Sequence, residues 1–453
     1  MSELELYADG RLDDLAPEAR RHLLERAPED APGLSRQVTE LMAEVRAEGD
    51  AALRRMAERF DGVTLESIEV PRDRWAAARD RLDPDVRAAL ERAADNIRRF
   101  HEAQIPEDVT VEVEPGVRIT RRWTALERVG VYAPGGRAAY PSSVLMGVVP
   151  AAAAGVDEVV VCSPPVPGEG PSDGVETGAG GVPGDAVLAA CAIGGADRLF
   201  ALGGAGAVAA LAFGTESVPA VDAVVGPGNR WVTEAKRQVA GRLLIDSPAG
   251  PSEVLVLADD GTDPELAAHE LLAQAEHDPE AACVLVSTDA HVLETARTAL
   301  VRLLEEAPRA EVARTALAAH GAFLLAGDRD QALAFTEAWA PEHLSVLTRT
   351  AEDDARRIRT AGTTFVGPWA SVAFGDYLTG ANHVLPTAGR ARSFSGLSTH
   401  HFLRSFTVQE IDEEGAASMA EDAARLARAE GLPAHGQAAL ARASTNPSTL
   451  RRP

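Results

Sequence analysis

The chain holds a single lysine, Lys236, among 44 basic residues, so its positive charge is almost wholly guanidinium. Schiff-base chemistry therefore has one candidate. Lys236 stands in a helix-like run, Thr233-Glu234-Ala235-Lys236-Arg237, where a surface or structural role is expected. Cysteine is also scarce. Cys162, Cys191 and Cys283 form no CxxC pair, which excludes a zinc ribbon and a thioredoxin-type redox motif. Cys162 and Cys283 lie in strand-like runs, where free thiols behave as small hydrophobes. An odd, low count fits a reducing cytoplasm, the expected location. No apolar run is long enough to span a bilayer, since Ala151 to Ala154 stops at Gly155. The first residues, Met1-Ser2-Glu3-Leu4-Glu5-Leu6, are acidic and lack the apolar stretch of a signal peptide. Acidic residues outnumber basic ones 69 to 44, a formal net charge of -25. Such a surface repels nucleic acid and anionic membranes, so neither is expected as a partner.

What the chain does have is length and alternation. Its 453 residues, 45% hydrophobic, are ample for two or three cores. Residues 1 to about 110 read as helical, with Asp83 and Pro84 as a helix start. From Val129 the pattern becomes strand and helix in turn. Strand-like segments at 129–132, 158–162, 198–202, 223–226 and 243–245 form one βαβ series. Those at 254–258, 283–287, 323–326, 344–347 and 364–366 form a second. Such series imply parallel sheets, hence an α/β protein with two sheet domains. Pro164 to Gly184, rich in Gly and Pro, reads as an exposed loop. Residues 416–443 read as an alanine-rich helical tail broken at Gly431-Leu432-Pro433.

Two short motifs carry chemistry. Gln274-Ala275-Glu276-His277 sets an amide oxygen and an imidazole on one helix face, a spacing that suits a metal accepting oxygen and nitrogen. A helix-end histidine facing the dipole is the plain alternative. Pro341-Glu342-His343 sets a carboxylate beside an imidazole, two different proton carriers. Neighbouring strand residues face opposite ways, so both reach one site only where the backbone is irregular; otherwise the pair is a surface loop. Asp376, in a Gly-punctuated segment, is either a metal ligand or a cap. Gly204-x-Gly206-x-x-Ala209 follows a strand and matches a dinucleotide fingerprint, with Asp222 near the distance of a ribose-binding acid. Asp222 enters a strand rather than ending one, so the stretch stands as a phosphate-approach turn. Gly226-Pro227-Gly228-Asn229 is a second side-chain-poor turn at a strand end.

Taken together these segments resemble the histidinol dehydrogenase family over nearly the whole chain. The pieces that carry the resemblance are Phe60-Asp61-Gly62, Asn96-Ile97-Arg98-Arg99-Phe100-His101, Gly226-Pro227-Gly228-Asn229, Thr233 to Gln238, Ala249 to Val254, Gln274 to His277, Pro341 to Leu344 and Asn382-His383-Val384-Leu385-Pro386. The resemblance implies oxidation of L-histidinol through L-histidinal to L-histidine with two NAD⁺ and one zinc per subunit. It implies zinc ligands Gln274, His277, Asp376 and His435, which also contact substrate. His343 resembles the base for the hydroxyl proton, in contact with substrate, and Glu342 the base that activates water. Ser252 and Glu430 match substrate contacts. Tyr132 and Asn229 match NAD contacts, and Gly206 stands where the family has a glutamine. The resemblance also implies a homodimer in which the tail carries Glu430 and His435 into the partner's site.

The fold expected is α/β: two Rossmann-like parallel-sheet domains, a helical N-terminal segment and a C-terminal helical tail that embraces a partner subunit. The expected division is residues 1–28 as the N-terminal helical segment packing with the tail, 29–131 with 251–395 as the first α/β domain holding metal, substrate and catalytic residues, 132–250 as the second, on the NAD side, and 396–453 as the dimerising tail. Alternatives are a zinc hydrolase in which Glu342 activates water and no hydride moves, a non-catalytic binding protein, and a dehydrogenase of another amino alcohol. NADH formation separates the first of these from a dehydrogenase.

Overall fold

The structure is a computed structural model and describes residues 4–26, 33–135, 140–167, 181–247 and 250–444. The chain divides into two compact units, Met1–Gln104 with Leu126–Phe402, and Ile105–Ala125 with Leu403–Pro453.

The first unit holds two parallel sheets. One has five strands, β4 (Arg128–Tyr132), β5 (Glu158–Ser163), β6 (Arg198–Ala201), β7 (Ala223–Val225) and β8 (Leu244–Ile245), in the order β6-β5-β4-β7-β8. The other has six, β1 (Ala8–Arg11), β9 (Glu253–Ala258), β10 (Ala282–Ser287), β11 (Gly321–Leu325), β12 (His343–Val346) and β13 (Thr363–Val366), in the order β1-β11-β10-β9-β12-β13. All pairings in both are parallel. The strands are short runs of Val, Leu and Ile because helices cover both faces; every residue of β9 and β10 is buried. In the five-stranded sheet the chain starts at the centre, at β4, walks outward through β5 to β6, then returns to β7 and β8; in the six-stranded sheet β1 takes one edge first, and the chain from β9 onward then follows the same path. The reversal leaves a crevice beside β4 in one sheet and β9 in the other.

The helices Leu34–Glu48, Asp50–Met56, Arg72–Arg81 and Pro84–Glu102 were expected to join residues 251–395. Their apolar faces instead enter the core of the five-stranded sheet, where Val38, Leu53, Met56, Trp75 and Ile97 pack with Val131, Val160 and Leu199. Pro84 starts its helix as expected, with Asp83 accepting from the Asp85 amide at 2.8 Å. One strand interrupts the helical reading of the N-terminal region: β1 adds to the edge of the six-stranded sheet along β11. Most of the loop from Pro164 to Gly184 lies outside the described residues; of its ends, Val166 bridges Val182.

The second unit is an antiparallel sheet in the order β14-β3-β2, from β2 (Val109–Glu114), β3 (Val117–Ala125) and β14 (Leu403–Ile411), followed by the helices Glu413–Ala429 and Pro433–Ala443. The tail is therefore not helical throughout. Asp412 links its parts, since its amide donates to Gly116 O at 2.9 Å and its carboxylate caps the next helix through Gly415 N at 3.0 Å. No helix among the described residues is long and apolar enough to cross a membrane.

Candidate active site

The helix Arg329–Trp339 ends at Ala340, which takes a left-handed conformation with φ of 52°. That is an uncommon state for a residue with a Cβ. It swings the chain through Pro341 so that Glu342, just before β12, and His343, its first residue, are both only 4% exposed. This is the irregularity the sequence required. Gly362 makes room on the far side, for a Cβ there would stand 2.7 Å from Glu342 O.

One residue holds both side chains. The Glu253 amide donates to Glu342 Oε2 at 2.7 Å, and the Glu253 carbonyl accepts from His343 Nδ1 at 3.0 Å. Committing Nδ1–H to a carbonyl leaves Nε2 as the basic nitrogen of the neutral ring. That Nε2 has no hydrogen-bond partner and lies 3.6 Å from Asp376 Oδ1. Glu342 Oε2 is 3.4 Å from His343 Nδ1. Burial raises the Glu342 pKa and the His343 charge pulls it partly back. Burial opposes the His343 charge too, but the carboxylates of Glu342 and Asp376 outweigh it and hold the imidazole well above its ordinary value.

Gln274 lies in the helix Pro264–Ala275, 2% exposed, with its amide nitrogen unpartnered. His277 follows the helix end, its amide on Gln274 O at 3.2 Å and its side chain in an exposed position. Asp376 sits in the helix Val372–Tyr377, whose first amide, Val372 N, donates to Glu270 Oε2 at 3.0 Å. Glu270 is one turn before Gln274, so a buried carboxylate docks the Asp376 helix on the Gln274 helix. His383 Nδ1 is 3.0 Å from Asp376 O. Burial opposes the Asp376 charge, but His343, His383 and His277 outweigh it and keep the carboxyl below the usual range. Burial lowers the His383 pKa, with the neighbouring imidazoles adding to the effect. Glu270 and His383 carry no role in the sequence reading; only the Asn382-His383 motif hinted at the second.

Among the described residues no three His, Cys, Asp or Glu side chains converge as a metal-holding group. Glutamine stands outside that set, and His435 and Glu430 belong to the second unit. There both are exposed, on either side of Gly431 where the two helices meet. Ser252 is half-buried, one residue before the Glu253 that holds the pair.

The carboxyl ends of the five-stranded sheet form a second region. Tyr132 closes β4, and burial lifts its phenol to about 12. Its hydroxyl accepts from Gly204 N at 3.2 Å. Gly226, with φ of 113°, follows β7 so closely that a Cβ would stand 2.1 Å from Tyr132 O. Lys236 is buried and clamps this turn. Its ammonium pairs with Asp246 and donates to Gly226 O at 2.9 Å, while Asp246 Oδ2 accepts from Gly226 N at 2.8 Å. Asn229 caps the helix Arg230–Val239 through Trp231 N at 2.9 Å. Gly206 is buried, and a Cβ on it would meet Met56 Sδ at 3.0 Å. Asp222 lies at the amino end of β7, bonded to Arg128 N at 3.2 Å, so the apparent fingerprint has its acid at the wrong end of the sheet.

The whole chain, rather than one motif, decides the family. The family model described as histidinol dehydrogenase matches residues 24–443. The chain belongs to the histidinol dehydrogenase family. The histidinol dehydrogenase of Natronomonas pharaonis is 49% identical over 427 residues, covering 94% of this chain and 97% of that one. That of Streptomyces avermitilis is 43% identical, covering 95% and 96%. The crystal structure of histidinol dehydrogenase from Elizabethkingia anophelis superposes with a TM-score of 0.89 at 32% identity, covering 97% of this chain and 98% of that one. Within this histidinol dehydrogenase fold Glu342 and His343 stand at the amino ends of β9 and β12, and the Tyr132 and Gly226 turns at the carboxyl ends of the other sheet.

Proposed function

We propose that the protein oxidises L-histidinol through L-histidinal to L-histidine, the last two steps of histidine biosynthesis, passing two hydrides to two NAD⁺. The observation that carries this reading is the Glu253 peptide, which fixes a carboxylate and an imidazole side by side beside Asp376. Two proton carriers of different kind suit two different half-reactions. In the first, His343 Nε2 accepts the hydroxyl proton while the carbinol C–H bond breaks and its hydride reduces NAD⁺. In the second, Glu342 takes a proton from water as the water oxygen bonds to the aldehyde carbon. His343 passes its first proton to solvent between the steps, and the hydrate anion then gives a hydride to a second NAD⁺ and its remaining hydroxyl proton to His343, leaving the carboxylate. No thiol is needed for aldehyde oxidation. All three cysteines are buried, and burial pushes their thiols far above the range of a reactive thiolate.

The donor chemistry of Gln274, His277 and Asp376 fits zinc, with the Gln274 amide oxygen as the donor; its buried amide nitrogen has no hydrogen-bond partner among the described residues. Zinc held by these three and His435 would chelate the substrate's amine and imidazole nitrogens and so aim its carbinol carbon at the nicotinamide. Tyr132, Asn229 and the turns at Gly206 and Gly226 make the NAD side. Ser252 contacts substrate, and Glu430 meets its cationic nitrogen.

On this reading a second copy of the chain supplies Glu430 and His435. Support comes from apolar side chains left exposed in both units. Trp369, Phe374 and Tyr377 flank Asp376 in sequence, and Val109, Val111, Val113, Phe406 and Leu426 lie in the second unit. Three free buried thiols favour the cytoplasm. The test counts NADH formed per histidinol consumed with zinc and NAD⁺ present. Two NADH support the proposal. One NADH removes the aldehyde step. None, with zinc bound and NADP⁺ also tried, overturns it in favour of another amino alcohol or a hydrolase.

A further inference from the structure

We infer that Arg26, acting through Glu253, is a positioning residue that holds Glu342 and His343 in their working geometry. The inference deepens the reading of those two side chains as proton carriers and rests on it. Its starting point is that the pair is oriented by a backbone, not by a dedicated side chain. Glu253 is the first residue of β9, and its amide and carbonyl point at Glu342 and His343. The β12 ladder pairs His343 with Val254, one residue further in. On one side Glu253 is paired with Ala282 of β10, but on the β12 side the ladder begins only at Val254, so the direction of these two bonds depends also on what holds the Glu253 side chain.

What pins it is a fork. Arg26 Nε and Nη2 donate to Glu253 Oε1 and Oε2, each at 3.0 Å, and Ala388 N donates to Oε1 at 2.6 Å. The rest of the guanidinium is used as well. Nη1 donates to Leu23 O at 3.0 Å and Nη2 to Trp339 O at 2.8 Å, and the group lies 3.7 Å over the Trp339 ring. Trp339 is three residues before Glu342. One cation therefore grips the strand that orients the pair and also the turn that delivers it.

Stability alone does not call for this arrangement. The Arg26 and Glu253 side chains are 8% and 4% exposed. Buried ion pairs of this kind are often replaceable by apolar residues at no loss of stability. Arg26 also sits in the left-handed region, φ of 35°, which opposes folding for a residue with a Cβ. A planar, bidentate, stacked guanidinium is the group for fixing direction, and lysine is no substitute for it.

The test compares Arg26→Lys and Arg26→Met with the parent as full-length, zinc-loaded enzyme. Both are expected to lose about tenfold or more in kcat for histidinol and for histidinal, with KM and zinc content within about twofold. Lysine keeps the charge and loses the fork, so a kcat near the parent's in Arg26→Lys overturns the inference. So does a kcat loss that merely follows zinc loss. If the Met variant fails to fold, Arg26→Lys and Glu253→Gln carry the comparison, the latter expected to be intermediate. A second readout needs no turnover. The His343 Nδ1 proton, bonded to a carbonyl in a buried site, gives a slowly exchanging ring resonance, assigned by its loss in His343→Gln. Its disappearance in Arg26→Lys supports the clamp, and its persistence unchanged refutes it. Absence of NADH from the parent enzyme would count against the proposed function, and the resonance would still decide the clamp.

Discussion

Glu342→Gln separates the two proton carriers. Glutamine keeps the shape and an acceptor oxygen, so the 2.7 Å bond from Glu253 N survives and the site should not collapse. Two things change. The water-activating base is lost, which lowers a general-base step by about 10²–10⁴, or about 3 to 5 kcal/mol of barrier. The negative charge 3.4 Å from His343 Nδ1 is also lost. At an effective dielectric of about 20 that contact is worth up to about 5 kcal/mol, an upper bound because burial of both charges opposes it. Removing it lowers the His343 pKa. More of the imidazole is then neutral near pH 7, so the alcohol step keeps its base and shifts its pH dependence to lower pH. The assay is single-turnover NADH formation, starting from histidinol and separately from histidinal. The expected result is one fast NADH per histidinol, histidinal oxidation slowed at least about a hundredfold, and the pH limb of the first step moved acid. An equal loss in both steps would refute the division of labour, and an unmoved pH limb would refute the electrostatic coupling.

Gly206→Gln alone should destabilise by about 1–3 kcal/mol, because its Cβ meets Met56 Sδ at 3.0 Å. Met56→Ala should offset part of this, so the double variant should be more stable than the sum of the single effects in urea melts; strict additivity would show that the two do not compete for space. Asp61, whose pKa burial raises from 3.8 to about 6, binds its proton more tightly folded than unfolded. Its charge therefore opposes folding above about pH 6 and not below about pH 4. Asp61→Asn should gain about 1–2 kcal/mol at about pH 8, after discounting for partial exposure, and nothing at about pH 4; a gain independent of pH would reverse the reasoning. Mixing His435→Ala with Glu342→Gln should regain part of the complete turnover, two NADH per histidinol, through hybrid dimers, whereas no recovery after verified subunit exchange would place both residues in one chain's site.

The strands of the two parallel series were legible because those at their centres, such as β5, β9 and β10, are short, doubly buried runs rich in Val and Leu between helices, and the flanking ones repeat the same spacing. β1 was not, since Ala8-Asp9-Gly10-Arg11 has no apolar alternation and is a strand only because β11 offers an edge. β14 was absorbed into the tail because most of its residues face solvent and its pairing partner β3 lies almost three hundred residues upstream in the chain. The grouping of residues 34–102 failed for a similar reason: an amphipathic helix shows which face is buried but not which sheet it covers. Within the site, Glu342 and His343 could be read as a pair, but their joint access depends on Ala340 adopting a positive φ, which alanine does not advertise. Arg26 and Glu253 are 227 residues apart in the chain and leave no local pattern. Glu270 reads as an ordinary helix residue until Val372 N is found on it.

The chain's only lysine is the buried clamp at Gly226, where Asp246 holds its ammonium. The folded surface therefore offers amine-directed reagents no lysine at all: acylating probes, sugars that glycate and lysine crosslinkers find side-chain cations only as guanidinium. Lys236 becomes labelled only when the turn after β7 opens. Its modification rate is thus a natural clock for opening of the five-stranded sheet, readable by mass from one peptide without engineering a reporter.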